Sequence, residues 1–251
     1  MGTLQRLKAW VTLACLAATW MLVGGSAVRA DADPDKSSAP PKGAIVLFDG
    51  KDLSGWTKLD GKPAPWKVED GYMECVPKQG DIKTKENVGP DFQLHVEFWL
   101  PLMANATGQG RSNSGVYLQG RYEIQVLDSY MNKTYANGAC GALYGIIAPN
   151  WAAAEEKGLS EPKNPCKPPE QWQTYDITFH APRVNGQGKV TESGRLTVVQ
   201  NGVTVIDNGA FDQVTGGALD EKIGEPGPIR LQDHGNKVRS RNIWLKPLGA
   251  K

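Results

Sequence analysis

Histidine is scarce in this 251-residue chain. There are three, with no His-x-His or His-x3-His pair, so a zinc site has little footing. Charge of one sign is lacking too: the net charge is +1, and no basic stripe offers a nucleic acid a footprint. Helix signals are nearly absent. The best is 151–158, where three alanines and two glutamates follow Trp151 and Gly158 stops the run. Long apolar runs are missing outside residues 9–23, and that run falls short of the roughly 20 residues a spanning helix needs. The mature chain is therefore expected to have no membrane span.

That N-terminal run instead has the form of an export signal. Arg6 and Lys8 precede it, Gly24, Gly25 and Ser26 break it, and Val28-Arg29-Ala30 presents small residues for cleavage after Ala30. Residues 1–30 are read as a signal peptide and 31–42, rich in Asp, Ser, Pro and Lys, as a disordered linker. Residues 43–251 are read as one domain, in a secreted or periplasmic protein. Loss of Arg6, Lys8 and Arg29 with the leader takes the net charge to about −2. Of four cysteines, Cys15 leaves with the leader. Export permits disulfides; Cys140 and Cys166, both in Gly/Pro-rich stretches, are expected to pair and clip a loop, with Cys75 a buried free thiol.

The rest of the chain alternates with period two between Gly, Pro, Asn and Asp clusters, the pattern of a sandwich or barrel. Strands are expected at 45–48, 66–69, 72–76, 82–84, 92–100, 115–118, 122–127, 172–180, 194–200, 203–208, 229–231 and 238–246. Gln119-Gly120 and Asn201-Gly202 suit tight hairpin turns. So many strands in one domain point to an all-β fold, a two-sheet antiparallel jelly roll. In 92–100, Phe92, Leu94, Val96 and Phe98 belong in the core, with His95 and Glu97 on the other face as a solvated pair or as chemical groups.

Chemistry concentrates in 111–128. Glu123 and Gln125 share one face of an alternating strand, and a β-bulge near Leu127 would bring Asp128 to their side. This Glu-x-Gln-x-x-Asp spacing resembles the Glu-x-Asp-x-x-Glu strand of laminarinase-type retaining glycosidases, whose outer carboxylates lie about 5–5.5 Å apart. Gln at the centre and the shorter final acid argue against that two-carboxylate mechanism, and a polar carbohydrate cleft is what remains shared. His234, before a Gly at a strand end, can act as acid or base near neutral pH or serve as a metal ligand. A divalent cation such as calcium, held by Asp233 with Asp128 or Glu123, is a further candidate. Arg241 is a candidate to bind a ligand oxygen or to pair with an acid, and Trp151 to stack on a sugar.

The segments LFDGKDLSGW (47–56), WKVEDG (66–71), NSGVY (113–117), YEIQVLD (122–128), GACGALY (138–144), EQW (170–172), LQDHG (231–235) and RNIW (241–244) resemble, in order, the 3-keto-disaccharide hydrolase domain family. The resemblance spans about 45–248. It implies a concanavalin A-like jelly roll, bacterial export, and cleavage of glycosides oxidised to a ketone at C3. Such a ketone acidifies the C2 proton, so a base can remove it and the C1 oxygen can leave by β-elimination, with hydration completing a net hydrolysis. His234 or Glu123 is the expected base, with Asp128 or Asp233 orienting it or holding a metal. Gln125 or Arg241 is expected near the ketone oxygen, and Asn113 and Trp151 in substrate binding. The alternative is a non-catalytic carbohydrate-binding module or lectin, followed by an ordinary retaining glycosidase. The expected partner is an oxidised glycoside, and nucleic acid is not expected.

Overall fold

The computed structural model describes residues 39–249. The signal-peptide reading, residues 31–38 of the linker reading and the last two residues lie outside them. In chain order the strands are β1 (Ile45–Phe48), β2 (Trp56–Lys58), β3 (Lys67–Glu69), β4 (Tyr72–Glu74), β5 (Ile82–Thr84), β6 (Asp91–Trp99), β7 (Asn113–Leu118), β8 (Tyr122–Leu127), β9 (Trp172–His180), β10 (Arg183–Val184), β11 (Val190–Glu192), β12 (Gly194–Gln200), β13 (Val203–Phe211), β14 (Arg230–Leu231) and β15 (Arg239–Pro247). The one α-helix among the described residues is α1 (Asn150–Glu156).

The strands form two main antiparallel sheets. The larger runs β13-β12-β9-β6-β15-β4-β3, with β1 also paired to β15. The smaller runs β2-β5-β14-β7-β8. The alternating pattern dictates what lies between them. Phe92, Leu94, Val96 and Phe98 of β6 join Tyr175, Ile177 and Phe179 of β9 in one apolar cluster with Val116, Leu118, Tyr122, Ile124 and Val126 of β7 and β8. Tyr122 sits edge-on to Phe211, with ring centroids 5.0 Å apart. This is the expected two-sheet jelly roll. No described helix is long and apolar enough to cross a membrane.

The turn residues act as anticipated. Asn201 and Gly202 take positive φ of 50° and 81° and close the β12–β13 hairpin between the paired Gln200 and Val203. Gln119 and Gly120, with φ of 51° and 70°, open a three-residue loop that ends at Arg121. The short strands β2, β10 and β11 carry no clear alternation and were not expected.

Two expectations fail here. Cys140 and Cys166 do not pair; with Cys75 they are free, buried thiols. They are neighbours in the core rather than clips of a surface loop. Gln200 Nε2 donates to both sulfurs, at 3.5 and 3.1 Å, and Tyr175 Oη lies 3.0 Å from Cys140 Sγ. The second concerns His95 and Glu97, which are not solvated: each is 3 % exposed. His95 stacks on Trp244 at 5.1 Å, its Nδ1 meets Asp176 Oδ1 at 2.7 Å, and Glu97 pairs with Arg241 at 2.6 Å.

Candidate active site

The face of the smaller sheet turned away from the core carries the site. Register places Tyr117 opposite Glu123 and Gly115 opposite Gln125 on β7 and β8, and Arg230 of β14 opposite Tyr117. Cross-strand partners share a face, so Asn113, Tyr117, Glu123, Gln125 and Arg230 project together. Gly115 is required there, because a Cβ would collide with the Glu123 carboxylate. Loops roof this face into a cleft of about 410 Å³, lined among others by Gln109, Asn113, Tyr117, Glu123, Gln125, Tyr135, Tyr144, Gln232 and His234.

Glu123 is the chemical centre. It is 4 % exposed, and Tyr117 Oη donates to its Oε2 at 2.8 Å. Burial pushes its carboxyl up to about 7, against the Tyr117 hydrogen bond and the Arg230 charge, which favour the anion. A carboxylate poised near neutrality suits proton transfer. Arg230 lies over the Tyr117 ring, 3.8 Å from its centroid, and donates to Gly217 O at 2.7 Å. Its Nε is 2.8 Å from Asp81 Oδ2, in ion-pair range although too bent for a hydrogen bond. Gln232 Nε2 donates to Tyr117 Oη at 3.3 Å.

The amides are pinned by their donors. Gln125 Nε2 donates to Gln109 Oε1 and Gly138 O, at 3.0 and 3.3 Å, and Asn113 Nδ2 to Gln109 O at 3.2 Å. The oxygens Gln125 Oε1 and Gln232 Oε1 are buried and accept no hydrogen bond. Buried acceptors of this kind are costly unless a donor reaches them. A larger groove of about 700 Å³, lined by Tyr130, Met131, Asn132, Asn164 and Leu159 among others, has only the exposed Glu155 as a carboxylate. Chemistry therefore favours the smaller cleft over the larger volume.

Of the residues picked out from sequence, Glu123, Gln125, Asn113 and His234 meet in this cleft, His234 at its exposed rim. Four others lie elsewhere. No bulge interrupts the β7–β8 register, so Asp128 is not turned to the side of Glu123. It is 2 % exposed, pairs with Arg111 at 3.3 Å and accepts from Tyr130 N–H. Arg241 faces Glu97 and lies over Trp172, 4.1 Å from the ring centroid, on the outer face of the larger sheet. Trp151 is 2 % exposed, because the short α1 turns it into the core and not towards a ligand. Asp233 spends both carboxylate oxygens on the N–H groups of Gly80 and Gly235, each at 2.9 Å. The calcium set thus does not converge. Asp128, Glu123 and Asp233 serve three separate networks, and the described residues contain no group of three or more His, Cys, Asp or Glu placed to hold a metal.

Sequence reading missed Tyr117, Tyr135 and Tyr144. Tyr117 had a legible signal, since its parity in 113–118 matches Asn113. Tyr135 and Tyr144 sit in irregular loops without one.

A model of the 3-keto-alpha-glucoside-1,2-lyase-like domain matches residues 43–246. The chain belongs to that family. A crystal structure from Parabacteroides distasonis ATCC 8503, provisionally named a glycosyl hydrolase, is 38 % identical, with 83 % of this chain and 85 % of that chain covered and a TM-score of 0.72. A second from the same organism, named likewise, is 23 % identical over 82 % of this chain and 94 % of that one, with a TM-score of 0.54; at that identity it speaks to the fold alone. No curated protein matches the sequence. Family membership and the 38 % relative place the chain among glycosyl-hydrolase-like, carbohydrate-related proteins.

Proposed function

We propose that this protein cleaves glycosides whose sugar carries a ketone at C3, with Glu123 as the base. The supporting observation is the buried Glu123 carboxylate, held near neutral pH and facing a polar cleft. Glu123 takes the C2 proton, made acidic by the adjacent ketone. The electrons pass into the enolate and return to expel the C1 oxygen, leaving an enone. Water then adds, hydroxyl to C1 and hydrogen to C2, so one water is consumed. Gln232 and His234 also line the cleft and are the donors this reading gives to the ketone oxygen as charge builds there. An exposed His234 is better suited to that part than to the base, because a burial-tuned carboxylate is already at hand.

The same reading keeps 1–30 as an export leader and 31–42 as a linker before the catalytic domain, with the protein working outside the cytoplasm.

The test is direct. Purified protein is incubated with a 3-keto-glucoside and with its unoxidised parent. Release of the leaving group from the ketone alone is expected. Release from both would restore an ordinary glycosidase. Binding without release from either would replace the enzyme with a carbohydrate-binding module.

A further inference from the structure

Elimination leaves one demand that Glu123 cannot meet. The departing C1 oxygen needs a proton, and Glu123 enters the step without one. The amides of Gln109, Asn113, Gln125 and Gln232 do not give up protons in water's pH range. The Tyr117 hydroxyl already donates to Glu123 Oε2. His234, at the rim of the cleft, is given to the ketone oxygen in the reading above. Two phenols remain in the cleft, Tyr135 and Tyr144.

Their placement follows from the backbone. Leu143 bridges Ile124 and is buried with it in the core. The next residue along such a pairing turns to the other face, which here is the face of Glu123. Tyr144 N–H donates to Glu123 O at 3.0 Å, so the two residues are neighbours across this extra edge of the sheet. Tyr135 comes in from above, before the 3-10 turn Ala136–Gly138. Its ring lies against bare backbone at Gly138, where a Cβ would collide with it. The Tyr135 and Tyr144 hydroxyls are 2.6 Å apart, and the rings meet edge-on with centroids 6.4 Å apart.

We propose that Tyr144 is the acid that protonates the leaving oxygen, and that Tyr135 is the positioning residue that holds and tunes it. The proposal rests on the elimination described above. In a hydrogen-bonded pair of phenols only one proton is spent between them. With Tyr135 donating to Tyr144 Oη, a direction assigned by this argument, the Tyr144 proton is free to point into the cleft. As the C1–O bond breaks, its electron pair goes to oxygen and that oxygen takes the Tyr144 proton. The phenolate left behind is stabilised by the Tyr135 hydrogen bond. In the hydration half, Tyr144 removes a proton from water while hydroxide adds to C1, and Glu123 returns its proton to C2. Both groups are then restored. Burial, with the Tyr144 hydrogen bond, holds the Tyr135 phenol up to about 12, so it remains a donor wherever the base works. A phenolic acid matters most for a poor leaving group, so its loss is felt more by alkyl and sugar glycosides than by activated aryl glycosides.

The test compares 3-keto-glucosides that release either methanol or 4-nitrophenol, using wild type, Tyr144→Phe and Tyr135→Phe. Each variant is first checked for an unchanged thermal unfolding curve. Tyr144→Phe is expected to slow methanol release by about 10²–10⁴-fold, as for loss of a general acid, and nitrophenol release by less than about 10-fold. Tyr135→Phe should show the same ordering with smaller losses, which also decides the question if Tyr144→Phe misfolds. Equal losses for the two leaving groups, or none, would overturn the assignment while leaving the elimination standing. A wild type that releases neither overturns the elimination itself, and this assignment with it.

Discussion

Glu123 combines two properties that oppose each other. Its position in the cleft makes it reactive, and the burial that tunes it also costs stability. Its carboxyl is raised from 4.5 to about 7, so the native state binds more protons than the unfolded state between those values. Stability therefore falls as pH rises through that window and stays at the lower level above it. The same titration controls the base, so kcat/KM on a 3-keto-glucoside should rise with pH through about 7. Glu123→Gln should lower the rate by about 10²–10⁴-fold while unfolding at a higher temperature than wild type at pH 8. The gain should vanish near pH 4.5. Thermal unfolding across pH, with a rate measurement on each sample, checks both parts. A variant that loses stability at pH 8 would show that Glu123 is a structural acid.

At the scale of elements, the outer face of β6, β9 and β15 holds a buried polar network at the far side of the sandwich from the cleft. Burial pulls His95 towards its neutral form, yet the hydrogen bonds and charges of Asp176 and Glu97 outweigh it and hold the imidazole up at about 9. An unfolded histidine titrates at about 6.5. The stability this network contributes is thus fully present below pH about 6.5 and is lost as pH rises through about 9. His95→Gln should unfold at a lower urea concentration than wild type at pH 6, with the gap closing by pH 10. Urea midpoints at the two pH values give the answer, and a gap that widens with pH would contradict the charged network. Trp151 belongs to this scale too: the seven residues of α1 are too few to stand alone, and its buried indole fastens them to the core.

The whole molecule divides its labour between its sheets. The smaller sheet carries the cleft on its outer face, and the larger sheet carries the His95–Glu97–Arg241 network on its own. Substitutions on the two outer faces should therefore separate activity from stability. Arg241→Met removes the guanidinium from Glu97, which keeps the Asn242 amide at 2.8 Å, and should cost about 1–2 kcal/mol, as for a lost charge-assisted hydrogen bond, with kcat on a 3-keto-glucoside unchanged. His234→Ala should do the reverse, reducing kcat by roughly 10²-fold, as for a lost oxyanion donor, with the unfolding midpoint unchanged. Parallel denaturation and rate measurements on the two variants decide it. Loss of kcat in a well-folded Arg241→Met would mean that the two faces communicate.

The sequence by itself determined the sandwich and one wall of the cleft, because both are written in local parity. Phe92, Leu94, Val96 and Phe98 could only face a core, and Glu123 and Gln125 could only face away from Ile124 and Val126. Asn201-Gly202 specified its hairpin because positive φ at two successive residues narrows the choice of residue. What only the tertiary structure decided was everything that depends on which strands become neighbours. Arg241 and His234 lie seven residues apart in chain, yet β15 enters the larger sheet while His234 stays beside β14 in the smaller one, so only His234 reaches the cleft. Asp128 would have joined Glu123 through a bulge, a one-residue irregularity that parity cannot foresee and that β8 does not make. Cys140 and Cys166 read as paired loop residues, and the structure instead buries them as free thiols beside Gln200 and Tyr175. Tyr135 and Tyr144, in loops with no period at all, acquire their hydroxyl contact only when the 136–147 segment folds back along β8. Local alternation is short-range steric chemistry and survives in a string of letters; long-range register is a property of the packed chain.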